Sequence, residues 1–162
     1  MSILAVLLSL LGMAAVLAIP VWLITVVVKL VLVALPRRRP DWGVNLLRWG
    51  SVMAAVAAAD LYLIGLGLVR FAASESESGT DSAPSPSCRD EVPGAIESIA
   101  GYEPSYVPLG FDCILDDGTT YPGSGIYAWL NGIVLAFVVA AIALRVAGGY
   151  AAERRARKQT ET

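Results

Sequence analysis

The sequence predicts an all-α membrane fold: three transmembrane helices, with a small disulfide-stapled extracytoplasmic loop domain that contains a β-hairpin. Three observations predict it. First, 56% of the 162 residues are hydrophobic, and the excess is gathered into blocks as long as the roughly 20 residues that a bilayer crossing needs. Second, charge is segregated. Residues 74–125 hold ten acids and one base, whereas the rest of the chain holds four acids and eleven bases. Third, the only two cysteines, Cys88 and Cys113, both fall in that acidic stretch, the part that the charge pattern places outside the cytoplasm, where disulfides form and persist.

The first span covers residues 1–35. It is apolar almost throughout, broken by Pro20 and Lys29. As one helix, its 34 residues from Ser2 would extend about 50 Å, more than the ~30 Å hydrocarbon core requires, so tilt or a kink at Pro20 is expected. A helical hairpin turning at Pro20 is the alternative, although Ala18-Ile19-Pro20-Val21-Trp22 offers no polar turn. No positive region precedes the apolar run, which argues against a signal peptide. Residues 36–43 form a basic loop with Arg37, Arg38 and Arg39, which the positive-inside rule places in the cytoplasm. The N-terminus is then outside.

The second span covers residues 44–73, bracketed by Arg48 and Arg70. Their separation in a helix, about 33 Å, puts them at opposite interfaces. Gly50, Ala54, Ala57, Ala58 and Gly65 form a small-residue stripe that permits close helix approach. Residues 74–87, without a large apolar side chain, read as a disordered acidic linker.

Residues 88–125 read as the extracytoplasmic mini-domain. Pro93 opens a short helix through Ile99, ending near Gly101. Tyr106–Leu115 reads as one extended strand, and Asp117-Gly118 as a two-residue hairpin turn. That register sets Leu115 opposite Thr120 and Ile114 opposite Tyr121. A unit this small buries little core unaided.

The third span covers residues 126–147, with Tyr127 and Trp129 suited to the outer aromatic belt and Gly132, Ala136 and Ala140 as a second small stripe. Residues 148–162 form a basic cytoplasmic tail. Both basic segments then share one side of a cell membrane and the acidic segment the other.

The run Cys113-Ile114-Leu115-Asp116-Asp117-Gly118-Thr119-Thr120-Tyr121 before a span resembles small multi-pass membrane proteins of actinobacteria. The resemblance implies a compartment and an architecture, and carries no catalytic residue. The shortage of lysine beside arginine, with abundant alanine and valine, separately suggests a GC-rich bacterial genome.

Chemistry is sparse. Histidine is absent, which removes the commonest general base, metal ligand and pH switch. No phosphate loop, dinucleotide fingerprint, nucleophile–base pair or zinc spacing is visible, so no enzyme, cofactor or nucleic-acid partner is expected. Cys88 and Cys113 lack the Cys-x-x-Cys spacing of exchange sites and read as a structural disulfide. Asp112, Asp116 and Asp117 do not match a calcium-loop spacing. No metal is expected.

Asp60 is the sharpest residue. Between Arg48 and Arg70 it falls near the bilayer midplane, where a carboxylate costs about 2.5–3.5 kcal/mol. Lys29 is its candidate ion-pair partner, and Tyr62, Thr25 and Asn131 are candidate hydrogen-bond partners. Asn131 itself reads as an interhelical hydrogen-bonding residue. The expected role is structural or interaction-based: an accessory subunit in the lipid bilayer that presents its loop to a membrane or envelope protein, or to another copy of itself. The alternative is a small transporter or channel subunit that uses Asp60 with Lys29.

Overall fold

The structure, a computed structural model, describes residues 3–34, 42–77, 88 and 98–160. Its elements are α1 (Ile3–Ala34), α2 (Trp42–Glu77), β1 (Ile99–Tyr106), β2 (Leu109–Leu115), β3 (Thr120–Pro122) and α3 (Ile126–Thr160). All three helices are long and apolar enough to cross a membrane. The basic run at 37–39, the linker from 78 to 87 and the short helix expected before residue 98 lie outside the described residues.

α1 is a single helix with Pro20 inside it, so the hairpin alternative is not what the chain adopts. Its apolar side chains point outward around the helix: Met13, Leu17, Val21 and Leu32 are all more than 60% exposed. α2 continues through Ser74–Glu77, which corrects the expected start of the linker. The hydroxyls of Ser74 and Ser76 donate back to the carbonyls of Phe71 and Ala72, so polar composition here does not break the helix. α3 likewise runs on through the basic tail to Thr160, with Arg157 and Lys158 in its last turn, where cations complement the helix dipole.

The chain divides into two compact units. One comprises Leu17–Asp60 and Ile133–Thr162. Here Trp22 joins the helices: its indole N–H donates to the Met53 carbonyl of α2 at 3.0 Å, and its ring meets Phe137 of α3 edge-on. The buried hydroxyl of Ser51 donates to the Ala141 carbonyl at 2.9 Å. The α2 stripe is where expected, with Ala54, Ala57 and Ala58 buried. The α3 stripe is not. Gly132 and Ala136 are exposed and Ala140 is half-buried, while the inward face is Val134, Phe137, Ala141, Leu144 and Gly148. Small residues populate several faces of α3, so their spacing alone did not select the one that packs.

The other unit comprises Met1–Val16 and Leu61–Gly132. α1 and α2 approach closely at Gly12 and Gly67, where a methyl group on either would sit 3.6 Å from the other's Cα. The antiparallel sheet has order β1-β2-β3. Its second strand alternates, with Leu109, Phe111 and Cys113 buried, and packs with Val69, Ala72 and Ala73 of α2, Tyr127 of α3, and Cys88. Burying side chains such as Leu109, Phe111 and Val69 contributes about 1.5–3 kcal/mol each.

The sheet corrects three expectations. Ile99 begins a strand, β1, and not the end of a helix. The extended run breaks at Val107-Pro108, where a cis peptide lies in the turn between β1 and β2. The hairpin register is one residue off: Ile114 faces Thr120 and Cys113 faces Tyr121. The reason is local. A two-residue turn of the expected kind requires positive φ at both central residues, and only Gly118 has it, at +80°. The loop is therefore a tight turn closed by Gly118 N–H to Leu115 C=O, with Leu115 N–H donating to Thr119 C=O. Gly118 takes the left-handed position after the turn.

Candidate functional site

The best-defined polar constellation holds the β1–β2 turn against α2 and α3. From α2, the Tyr62 hydroxyl donates to the Tyr106 carbonyl at 2.7 Å. From α3, the Asn131 amide clamps Leu109: Nδ2 donates to its carbonyl at 2.8 Å, and Oδ1 accepts from its N–H at 3.1 Å. Within the turn, the Ser105 hydroxyl donates to the Pro108 carbonyl at 2.7 Å. Leu109 itself is 2% exposed. It occupies the space that Gly65 leaves open: a Cβ on Gly65 would overlap the Leu109 side chain and fall 2.6 Å from Leu130 Cδ2.

The Cys88–Cys113 disulfide is formed, with Cα atoms 5.9 Å apart, and both cysteines are fully buried. Gly123 closes over it. Its N–H donates to the Phe111 carbonyl at 2.7 Å, and a Cβ there would lie 2.9 Å from that carbonyl and 3.0 Å from Cys113 Sγ. Tyr102 stacks on Phe111 with ring centroids 5.3 Å apart. Its hydroxyl reaches Glu77 at 3.4 Å. Burial first, and the Glu77 carboxylate second, hold the Tyr102 phenol above its ordinary pKa.

The sheet and its flanking turns are acidic. Residues 98–125 carry Glu103, Asp112, Asp116 and Asp117 and no base. Glu103 and Asp112 are direct cross-strand neighbours. At the β2–β3 turn, Asp117 Oδ1 accepts from both the N–H and the hydroxyl of Thr119, at 2.8 and 2.6 Å. The hydroxyl bond, then the backbone bond, lower the Asp117 pKa. Among the described residues no cluster of three His, Cys, Asp or Glu is arranged to hold a metal.

The remaining predicted residues are not brought together. Lys29 Nζ lies 5.8 Å from the centroid of the Trp49 ring, a cation–π distance. Asp60 is half-buried, and among the described residues no ion pair or hydrogen bond reaches it. Its three candidate hydrogen-bond partners are engaged elsewhere: Thr25 with Val21 of its own helix, Tyr62 with Tyr106, Asn131 with Leu109. The expected interhelical role of Asn131 is thus corrected, because it binds a strand. Within the other unit, an open cleft of about 570 Å³ between the start of α2 and the end of α3 is lined by Arg48, Arg155 and Lys158 among others, with no acid.

No family model, curated protein or solved structure matches this chain.

Proposed function

We propose that this is a multi-pass protein of the cell membrane whose helices hold a small acidic sheet outside the cytoplasm, as an accessory or interaction subunit. The observation that carries the reading is the docking of the sheet. Tyr62, Asn131 and the Gly65–Leu109 fit fix it to two helices through both hydrogen bonds and packing. A loop serving only as a connection needs no such attachment, whereas a recognition surface gains from a fixed orientation, which lowers the entropy lost on binding.

Membrane insertion is supported by the apolar side chains exposed around α1 and α3, among them Leu17, Val21, Leu135 and Ile142. A helix apolar on every side belongs in lipid or in a large core. The orientation, N-terminus out and C-terminus in, follows from basic residues at 37–39 and 154–158 and acids between 74 and 125. The partner implied by four carboxylates without a base is a membrane or envelope protein with a basic surface. The rival reading, a transporter or channel subunit using Asp60 with Lys29, draws no support from a lysine seated on Trp49.

The test is a photo-crosslinking residue at Thr120, on the exposed strand β3, compared with one at Leu135 on α3. A single crosslinked partner specific to Thr120, lost when Asp112, Asp116 and Asp117 are changed to lysine, is expected. Absence of any crosslink from Thr120 in intact cells, or one insensitive to those charges, would overturn the reading. Reporter fusions at residue 80 and at the C-terminus check orientation, and a cytoplasmic signal at residue 80 would reverse it.

A further inference from the structure

We infer that the β1–β2 turn, Tyr106-Val107-Pro108, is itself a lipid-contacting element that dips into the bilayer leaflet, while the opposite β2–β3 turn stands in water. The inference rests on the reading that the three helices span a bilayer. Three observations on the sheet unit lead to it.

The first is depth. Tyr62, which holds Tyr106, lies eight residues before Arg70 on α2, about 12 Å along the axis. Asn131, which holds Leu109, lies five residues into α3, about 7.5 Å from its start. Arg70 and the beginning of α3, with the exposed Trp129, mark the interface. Both anchors therefore draw the turn below the headgroup level.

The second is chemistry. Val107 is 83% exposed and Tyr106 is 39% exposed, and no charge lies between Glu103 and Asp112. The other end of the sheet carries Asp116, Asp117 and Thr119. Val107 and Asp116 are nine residues apart, roughly 30 Å along an extended strand. The sheet is thus polarised along its length, apolar at one turn and acidic at the other.

The third is the accounting of the backbone. A hairpin tip in water leaves its carbonyls to solvent. Non-helical backbone at membrane depth is tolerated only where its polar groups find partners in protein or water. Here the carbonyls of Tyr106, Pro108 and Leu109 and the N–H of Leu109 all have side-chain partners, from Tyr62, Ser105 and Asn131. Pro108 has no N–H to satisfy. Two main-chain carbonyls of the turn and both main-chain groups of Leu109, the first residue of β2, are thereby removed from dependence on water beside the exposed side chains of Tyr106 and Val107.

The experiment is spin labelling of Val107→Cys in the full chain, reconstituted in vesicles of phosphatidylcholine and phosphatidylglycerol. The native cysteines are disulfide-bonded and do not react. Collision with oxygen, which partitions into lipid, is compared with collision with a water-soluble nickel chelate. Leu135→Cys on α3 and Asp117→Cys at the acidic turn are the references. Oxygen is expected to dominate at Val107 as at Leu135, and nickel at Asp117. Nickel dominance at Val107 with oxygen dominance at Leu135 would overturn the inference and leave the spanning reading intact. Nickel dominance at Leu135 would overturn the spanning reading, and the inference with it.

Discussion

Asn131 holds Leu109 by both main-chain groups, donating to its carbonyl at 2.8 Å and accepting from its N–H at 3.1 Å. A single asparagine on α3 thus completes the end of β2. Asn131→Leu keeps the volume but removes both bonds, leaving a half-buried donor and acceptor without partners. A loss of about 1–3 kcal/mol is expected, read as a lower unfolding midpoint in detergent micelles. Equal stability of wild type and Asn131→Leu would mean that the clamp contributes nothing.

Gly65 and Leu109 form a lock of complementary volumes. The Cβ of Gly65→Ala would overlap Leu109, and Leu109 is too buried to swing away freely. Overpacking of this kind costs about 1–3 kcal/mol. Leu109→Ala alone costs about 2–5 kcal/mol through the cavity it leaves. The double variant should be more stable than the sum of the two losses predicts, because each change relieves the other. Strict additivity in that cycle would show that the residues do not share this space.

The disulfide closes a separation of 25 residues. In the chain-entropy account a loop of that length stabilises by about 3.5 kcal/mol, a large share of what so small a unit has. Changing both Cys88 and Cys113 to alanine should therefore expose the β2 amides to hydrogen exchange, while amides in the apolar middle of α3 stay protected. Exchange at β2 equal to that of the oxidised protein would show that helix docking alone holds the sheet. Gly123→Ala, crowding the Phe111 carbonyl and Cys113 Sγ, should produce a milder form of the same effect.

The helices were legible because length and hydropathy act over tens of residues, and the disulfide because the chain's only two cysteines share the acidic stretch between the second and third apolar segments. The sheet was legible only in part. Asp117-Gly118 marked the hairpin, but register depended on which of two residues took positive φ, and glycine alone did. β1 was not legible because Gly101 and Pro104 break its alternation, while its partner β2 shows clear period-two burial. The short helix expected before it has no described counterpart at Ile99.

At the site, Asn131 stood out as a polar residue in an apolar helix, yet its partner was a main-chain group 22 residues away. No side-chain inventory contains such partners, which is why interhelical pairing was the natural expectation. Lys29 was paired with Asp60 by charge, but a nearby indole face received it instead. Tyr62 reads in the sequence as a hydrogen-bond partner for Asp60 and Gly65 as part of a stripe for helix approach, yet both meet the β1–β2 turn and the start of β2. The element they receive became visible only with the fold.

The acidic turn offers a pH-dependent test. Asp117 Oδ1 accepts from the hydroxyl and the N–H of Thr119, and these bonds favour its charged form, lowering its pKa from the ordinary 3.8. A carboxyl whose folded pKa is lowered stabilises the fold above the ordinary value, and that contribution disappears as pH falls through the lowered one. Thr119→Val removes the hydroxyl bond and keeps the N–H bond. The Asp117 titration midpoint, followed by carboxyl carbon NMR in labelled protein, should rise toward the ordinary value without reaching it. Thr119→Ser restores the hydroxyl and should restore the wild-type midpoint. An unchanged midpoint in Thr119→Val would mean that the Thr119 hydroxyl is not what holds the carboxylate charged.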